Sequence, residues 1–158
     1  MTRFYAALTI LLAAGFSARA QPLPSVGDPA IVAYTIVDGR EIPESLTGRA
    51  GDPEAGSALY LDAARTGCIL CHGVPKAAGP PLPPADGIPA LDGVGARLSP
   101  GRLRLWIVAP AMTGAEKPSL YAPGQRTDPD DPLHGGPTLT ASEVEDLVAW
   151  LESLATQE

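Results

Sequence analysis

The stretch Gly67-Cys68-Ile69-Leu70-Cys71-His72 decides how this 158-residue chain is read. The only two cysteines stand three apart, and one of the two histidines follows directly. Cys-x-x-Cys-His is the attachment signature of c-type haem. One helical turn presents both sulfurs to the same porphyrin edge, where they add to two vinyl groups as thioethers. The adjacent imidazole of His72 can then swing under the iron as the proximal ligand. Other readings use less of the pattern. A zinc site needs two more ligands, and the sequence holds neither a second Cys-x-x-Cys nor a His pair. A thioredoxin-like redox site needs a βαβ surround. A plain disulfide leaves His72 unexplained.

Composition points the same way. Both phenylalanines lie in the first twenty residues, so Tyr34, Tyr60, Trp106, Tyr121 and Trp150 are the aromatic residues left to build a core. With 18 Pro and 17 Gly, much of the chain is expected to be irregular. A chain this poor in large apolar groups has difficulty closing a core unaided, and a buried porphyrin would supply the missing apolar mass. The chain reads as a c-type cytochrome.

The N-terminus reads as a signal peptide over residues 1–20. Arg3 gives a basic start, Phe4 to Gly15 an apolar run, and Ala18-Arg19-Ala20 a small-x-small cleavage site. The run falls short of the roughly 20 residues that span a bilayer, so no membrane span is expected after cleavage. Export to the periplasm suits thioether chemistry, which needs reduced thiols outside the cytoplasmic membrane. Without Arg3 and Arg19 the 11 basic residues fall by two against 18 acidic ones, leaving the mature chain strongly acidic. A surface of that sign argues against nucleic acid and suits basic partners met by electrostatic steering.

Residues 21–51 form an expected N-terminal arm that wraps the domain or docks a partner subunit. Its fragment Ile31 to Val37 is β-branched enough to be extended. The remaining 52–158 form the cytochrome domain. Asp52-Pro53-Glu54 starts a helix expected to run to about Arg65. A Pro/Gly-rich loop over 73–98 is expected to be non-helical and to cover one haem edge. Ser99-Pro100 starts a second helix carrying Leu103, Leu105, Trp106 and Val108, with Arg102 and Arg104 among them; Pro110 ends it. A second long loop runs over 110–139, and covering a haem face would explain its length. Thr140-Ala141-Ser142-Glu143 is a capping box. Val144, Leu147, Val148, Leu151 and Leu154 then mark the apolar face of a third helix. Three helices and two loops resemble the all-α class I cytochrome c fold. The resemblance implies that Gly56, Tyr60 and Trp150 form the contact between its first and last helices.

The sixth iron position has three candidates in the second loop. Lys117-Pro118-Ser119-Leu120-Tyr121 resembles the Met-Pro-x-aromatic ligand motif with Lys in place of Met. Met112 lies five residues earlier, and His134 further on. A thioether raises the reduction potential, whereas nitrogen donors lower it. Lysine must bind as the neutral amine, and deprotonation at pH 7 costs roughly 4–5 kcal/mol that iron binding would have to offset. Met112 needs no deprotonation, but it lacks the following Pro and sits close to the helix end at Pro110. An open iron is the remaining alternative and would suit gas binding or peroxidase chemistry.

The mature chain further resembles the SoxX family of monohaem cytochromes. The resemblance runs through Ile42 to Gly48, Gly51 to Gly56, Cys68 to His72, Leu91 to Arg97 and Leu103-Arg104-Leu105. It closes with Gly136 to Thr140 and Glu143 to Leu151. It implies a periplasmic electron-transfer subunit of an L-cysteine S-thiosulfotransferase complex. Cys68 and Cys71 would hold one haem c, and His72 would be its proximal ligand. The implied partners are a SoxA-like haem subunit, which carries the sulfur chemistry, a sulfur-carrier protein and a small electron acceptor. This chain has no spare thiol and would contribute no nucleophile. The family places Met where Lys117 stands, which opens the competing reading of a free monohaem carrier for another dehydrogenase or oxidase.

Overall fold

Each of the three longer helices starts at a cap written in the sequence. In the computed structural model, which describes residues 30–155, α1 spans Pro53–Leu61 behind Asp52, whose carboxylate accepts from the Glu54 and Ala55 N–H groups. The expected signal peptide and residues 21–29 of the expected arm lie outside the described residues. Helix α2, Cys68–His72, carries the Cys-x-x-Cys-His stretch, and α3 is a single turn at Val94–Arg97. Helix α4, Pro100–Val108, follows Ser99, whose hydroxyl accepts from the Arg102 N–H. Helix α5, Ala141–Ser153, opens with the complete Thr140/Glu143 capping box. Proline in the first turn of α1 and of α4 gives up an N–H that has no helical partner there.

Two expectations need correction. Helix α1 stops at Leu61 rather than near Arg65. The Asp62 carboxylate takes the Arg65 N–H at 3.0 Å, and the Thr66 hydroxyl reaches back to the Leu59 carbonyl at 2.9 Å. These local bonds compete with the helix and close a turn that delivers the chain to α2. The two long loops also contain helix: 3-10 turns at Lys76–Ala78 and Pro110–Thr113, besides α3. Helix α3 is fixed from outside, because Gly95 lies against the backbone of Glu152 in α5. Among the described residues only isolated bridges occur, Val37 with Glu41 and Val74 with Leu82, so the β-branched fragment builds no sheet.

At nine residues, α1 and α4 are too short to persist alone. Both pack on α5, which presents Val144, Leu147, Val148 and Leu151 to the core. Gly56 lets the α1 backbone approach the Asp146 carbonyl and the Trp150 Cβ. One turn on, the Tyr60 and Trp150 rings meet with centroids 4.4 Å apart. Helix α4 adds Leu103, Leu105 and Val108 to the same core, while Trp106 and Tyr34 stay substantially exposed. Two of the five expected core aromatics therefore serve other surfaces.

In place of Trp106, α4 buries Arg104. Its guanidinium makes two bonds to the Glu145 carboxylate, Nε to Oε1 at 2.7 Å and Nη2 to Oε2 at 2.8 Å. Nη1 donates to the Ile42 carbonyl at 2.6 Å, and Glu145 Oε1 also accepts from the Leu46 N–H at 2.9 Å. This ion pair ties the segment before α1 to both α4 and α5, with Ile42 and Leu46 themselves in the core. Earlier in that segment, the Val32 N–H donates to the Tyr121 hydroxyl, and the Ala30 carbonyl accepts from the Ala141 N–H.

Candidate haem-binding site

Helix α2 is held at its C-terminal end by bonds to main-chain carbonyls. The Cys71 carbonyl accepts from the Ala85 N–H at 2.8 Å, and the buried Gly73 carbonyl accepts the Tyr60 hydroxyl at 2.7 Å. Gly73 itself has φ +70°, and a Cβ there would fall 2.2 Å from the Leu82 carbonyl oxygen, so no other residue fits. Tyr60 thus joins the α1–α5 contact to the residue that follows His72. Burial, and secondarily the nearby Cys68 thiol, pushes the phenol well above its ordinary pKa, so it stays a donor. The sequence marked Tyr60 only as a helix contact. A Tyr60→Phe variant should lose about 1–3 kcal/mol by stranding the Gly73 carbonyl, read as a lower urea midpoint with an unchanged m-value.

His72 Nδ1 lies 3.0 Å from the Pro89 carbonyl oxygen. A carbonyl only accepts, so Nδ1 carries a proton, and in the neutral imidazole Nε2 then keeps its lone pair free for a metal. The same kind of bond orients metal-bound imidazoles in general and raises their basicity. Both cysteines are unpaired thiols, Cys71 exposed and Cys68 half-buried. No group of three His, Cys, Asp or Glu side chains among the described residues is arranged to hold a bare metal ion. The thiols and imidazole instead lie along one turn of helix. Leu70, Leu82 and Ile88 expose apolar surface on this turn and on the loop bonded to it. Two thiols, an imidazole with a bare Nε2 and an apolar rim fit a covalently bound porphyrin.

The three sixth-ligand candidates stand in different places. Lys117 is an exposed residue of the second loop. There it lies within electrostatic reach of both Cys68 and Cys71. Burial lowers its pKa, and the two nearby cysteines oppose that shift. Met112 is 54% exposed and lines a shallow groove with Gly39, Arg40, Arg102, Leu105 and Trp106. None of those groove residues belongs to α2. His134 is exposed, with Nδ1 engaged by the Asp128 carbonyl at 2.9 Å. A separate cleft of about 390 Å³, between residues 44–51 and α5, is lined in part by Arg104 and Glu145 and by no residue of α2.

Comparison with known proteins decides the family. The family model described as Cytochrome c matches residues 53–155. The chain belongs to the cytochrome c family. A chain in the crystal structure of SoxXA from P. pantotrophus is 31% identical to this cytochrome and superposes with a TM-score of 0.63. The match covers 78% of this cytochrome and 95% of that chain. A search of curated proteins found no match. This cytochrome is therefore SoxX-like, with the all-α class I fold, and its family membership implies covalently bound haem c and electron transfer. Among the described residues, no helix is long and apolar enough to cross a membrane.

Proposed function

We propose that this cytochrome is the electron-accepting subunit of a periplasmic complex that couples thiosulfate to a carrier-protein cysteine. The similarity over 95% of a SoxXA chain carries this reading. Cys68 and Cys71 would hold the haem as thioethers, and His72 Nε2 would bind its iron, with the ring oriented by the Pro89 carbonyl. Bound haem supplies one-electron redox chemistry. In the coupling, a carrier thiol and thiosulfate form one S–S bond and release one proton and two electrons, for which a bound haem would serve as a one-electron acceptor. A SoxA-like subunit bears the sulfur chemistry, because this chain has no thiol beyond the two that the haem uses. A small acceptor then reoxidises the haem.

The full chain should be exported with a haem-maturation system, alone and together with its SoxA-type subunit. Co-elution as a heterodimer is expected, with haem reduction only when both thiosulfate and the carrier protein are added. Separate elution with no thiosulfate-dependent reduction would sink this reading and favour a free electron carrier.

A further inference from the structure

We propose that the groove between the Val37–Glu41 turn and α4 docks an acidic surface of the partner subunit. An apolar side chain of the partner would sit on Trp106 and Met112, and its carboxylates would meet Arg40 and Arg102. The inference rests on the two-subunit reading above and adds the face of this chain that the partner covers.

The walls of the groove are held by the chain itself. The turn closes through the Val37 N–H to the Glu41 carbonyl and the Arg40 N–H to the Val37 carbonyl, both at 2.9 Å. Two bonds fix it to the start of α4: the Ile42 N–H to the Gly101 carbonyl at 3.0 Å, and the Ser99 hydroxyl to the Glu41 carboxylate at 3.1 Å. On the far side, the Met112 N–H donates to the Ala109 carbonyl at 3.0 Å and the Thr113 hydroxyl to the Pro110 carbonyl at 2.7 Å. Walls held in this way lose little freedom when a partner arrives.

The contents of the groove select the partner. Trp106 and Met112 are both exposed there. Tryptophan and arginine dominate the binding energy of protein interfaces, and methionine adapts to the shape it meets. At about 160 Å³ the groove is smaller than the roughly 300 Å³ at which small-molecule pockets begin, so it takes a side chain rather than a whole ligand. Charge then decides whose side chain. The chain carries 18 acidic against 11 basic residues, yet the charged side chains lining this groove are both arginines. Arg65, Arg104 and Arg126 are engaged in ion pairs, whereas among the described residues Arg40 and Arg102 meet no carboxylate. Asp38 lines no part of the groove, and Glu41 is turned to Ser99. A second copy seated face to face would bring like charges together, so the groove favours a partner that presents carboxylates. It shares no residue with α2, so docking here and electron exchange at the Cys68–His72 turn would use different residues.

The test uses the exported full-chain holoprotein and its SoxA-type subunit, with affinity measured by sedimentation at low and high salt. The wild type should bind, and more weakly as salt rises. Arg40→Glu/Arg102→Glu should weaken binding about tenfold or more and remove most of the salt dependence. Met112→Glu should weaken it as well, by placing a carboxylate where the partner's apolar side chain sits. The three substituted side chains are exposed, so both variants should keep the wild-type optical spectrum and thermal midpoint. Lys76→Glu makes the same charge change outside the groove and should bind like the wild type. Groove variants with wild-type affinity and salt dependence would overturn the inference and leave the two-subunit reading standing. Wild-type self-association that the groove variants abolish would also overturn it, because a second copy would then be the occupant. A wild type that fails to bind the SoxA-type subunit at any salt would overturn the two-subunit reading, and this inference with it.

Discussion

An Arg104→Ala variant should unfold about 3–5 kcal/mol more readily than the wild type, since a buried ion pair broken on one side leaves an uncompensated charge. Arg104 and Glu145 side chains are each only 5% exposed, and their two bonds are 2.7 and 2.8 Å. Removing the guanidinium strands the Glu145 carboxylate and also takes the donor from the Ile42 carbonyl. Both side chains line the cleft beside residues 44–51, so water can reach the stranded carboxylate in part. That access places the loss toward the lower end of the range. Thermal melts of the holoprotein should fall by roughly 10 °C or more. The Arg104→Met/Glu145→Leu double variant discriminates between causes. It removes both charges at similar volume and should recover much of the stability. A double variant as unstable as the single one would mean that the bonds to Ile42 and Leu46, rather than the stranded charge, dominate.

The Gly56→Ala variant should be damaged at least as severely. A Cβ at residue 56 would fall 2.0 Å from the Asp146 carbonyl oxygen and 2.9 Å from the Trp150 Cβ. Ordinary contact begins at 3.4 Å, so the helices must part by more than 1 Å, and what blocks the way is backbone rather than a mobile side-chain tip. A methyl forced into a packed core typically costs about 1–3 kcal/mol, and rigid neighbours on the far side push this variant beyond that range. The displacement also separates Tyr60 from Trp150 and, through the Tyr60 hydroxyl, slackens the hold on Gly73 next to His72. Covalent haem yield after export and urea denaturation of whatever protein is recovered would measure both effects. A holoprotein with wild-type yield and midpoint would contradict the packing described for this helix pair.

What the sequence disclosed follows the range over which each signal acts. The caps at Asp52, Ser99 and Thr140 were legible because an N-cap is decided within three residues. The Cys68–His72 turn stood out because the chemistry expected of it needs three adjacent side chains. The end of α1 was not, since Asp62 and Thr66 compete with the helix through bonds that composition does not rank. Helix α3 was hidden because its support comes from Glu152, far along the chain. The role of Arg104 was half visible, as a charge among apolar residues of α4. Its partner lies 41 residues away and no periodicity connects them. Trp106 was read inward on hydropathy alone, whereas α4 gives its buried positions to Leu103, Arg104, Leu105, Ile107 and Val108. The surroundings of Met112 needed three dimensions, because its groove brings residues 39 and 40 against α4.

Helix α5 also determines the order in which the chain can close. Gly51, Gly56 and Gly95 each rest on its backbone, at Glu145, Asp146 and Glu152. It lies C-terminal to all of them, so the partners of these early segments are made after them. A chain that emerges N-terminus first cannot complete this packing until Ala141–Ser153 has followed, and contacts of such long sequence separation form slowly. During that interval Cys68, Cys71 and His72 belong to an open chain, with the thiols and the imidazole accessible.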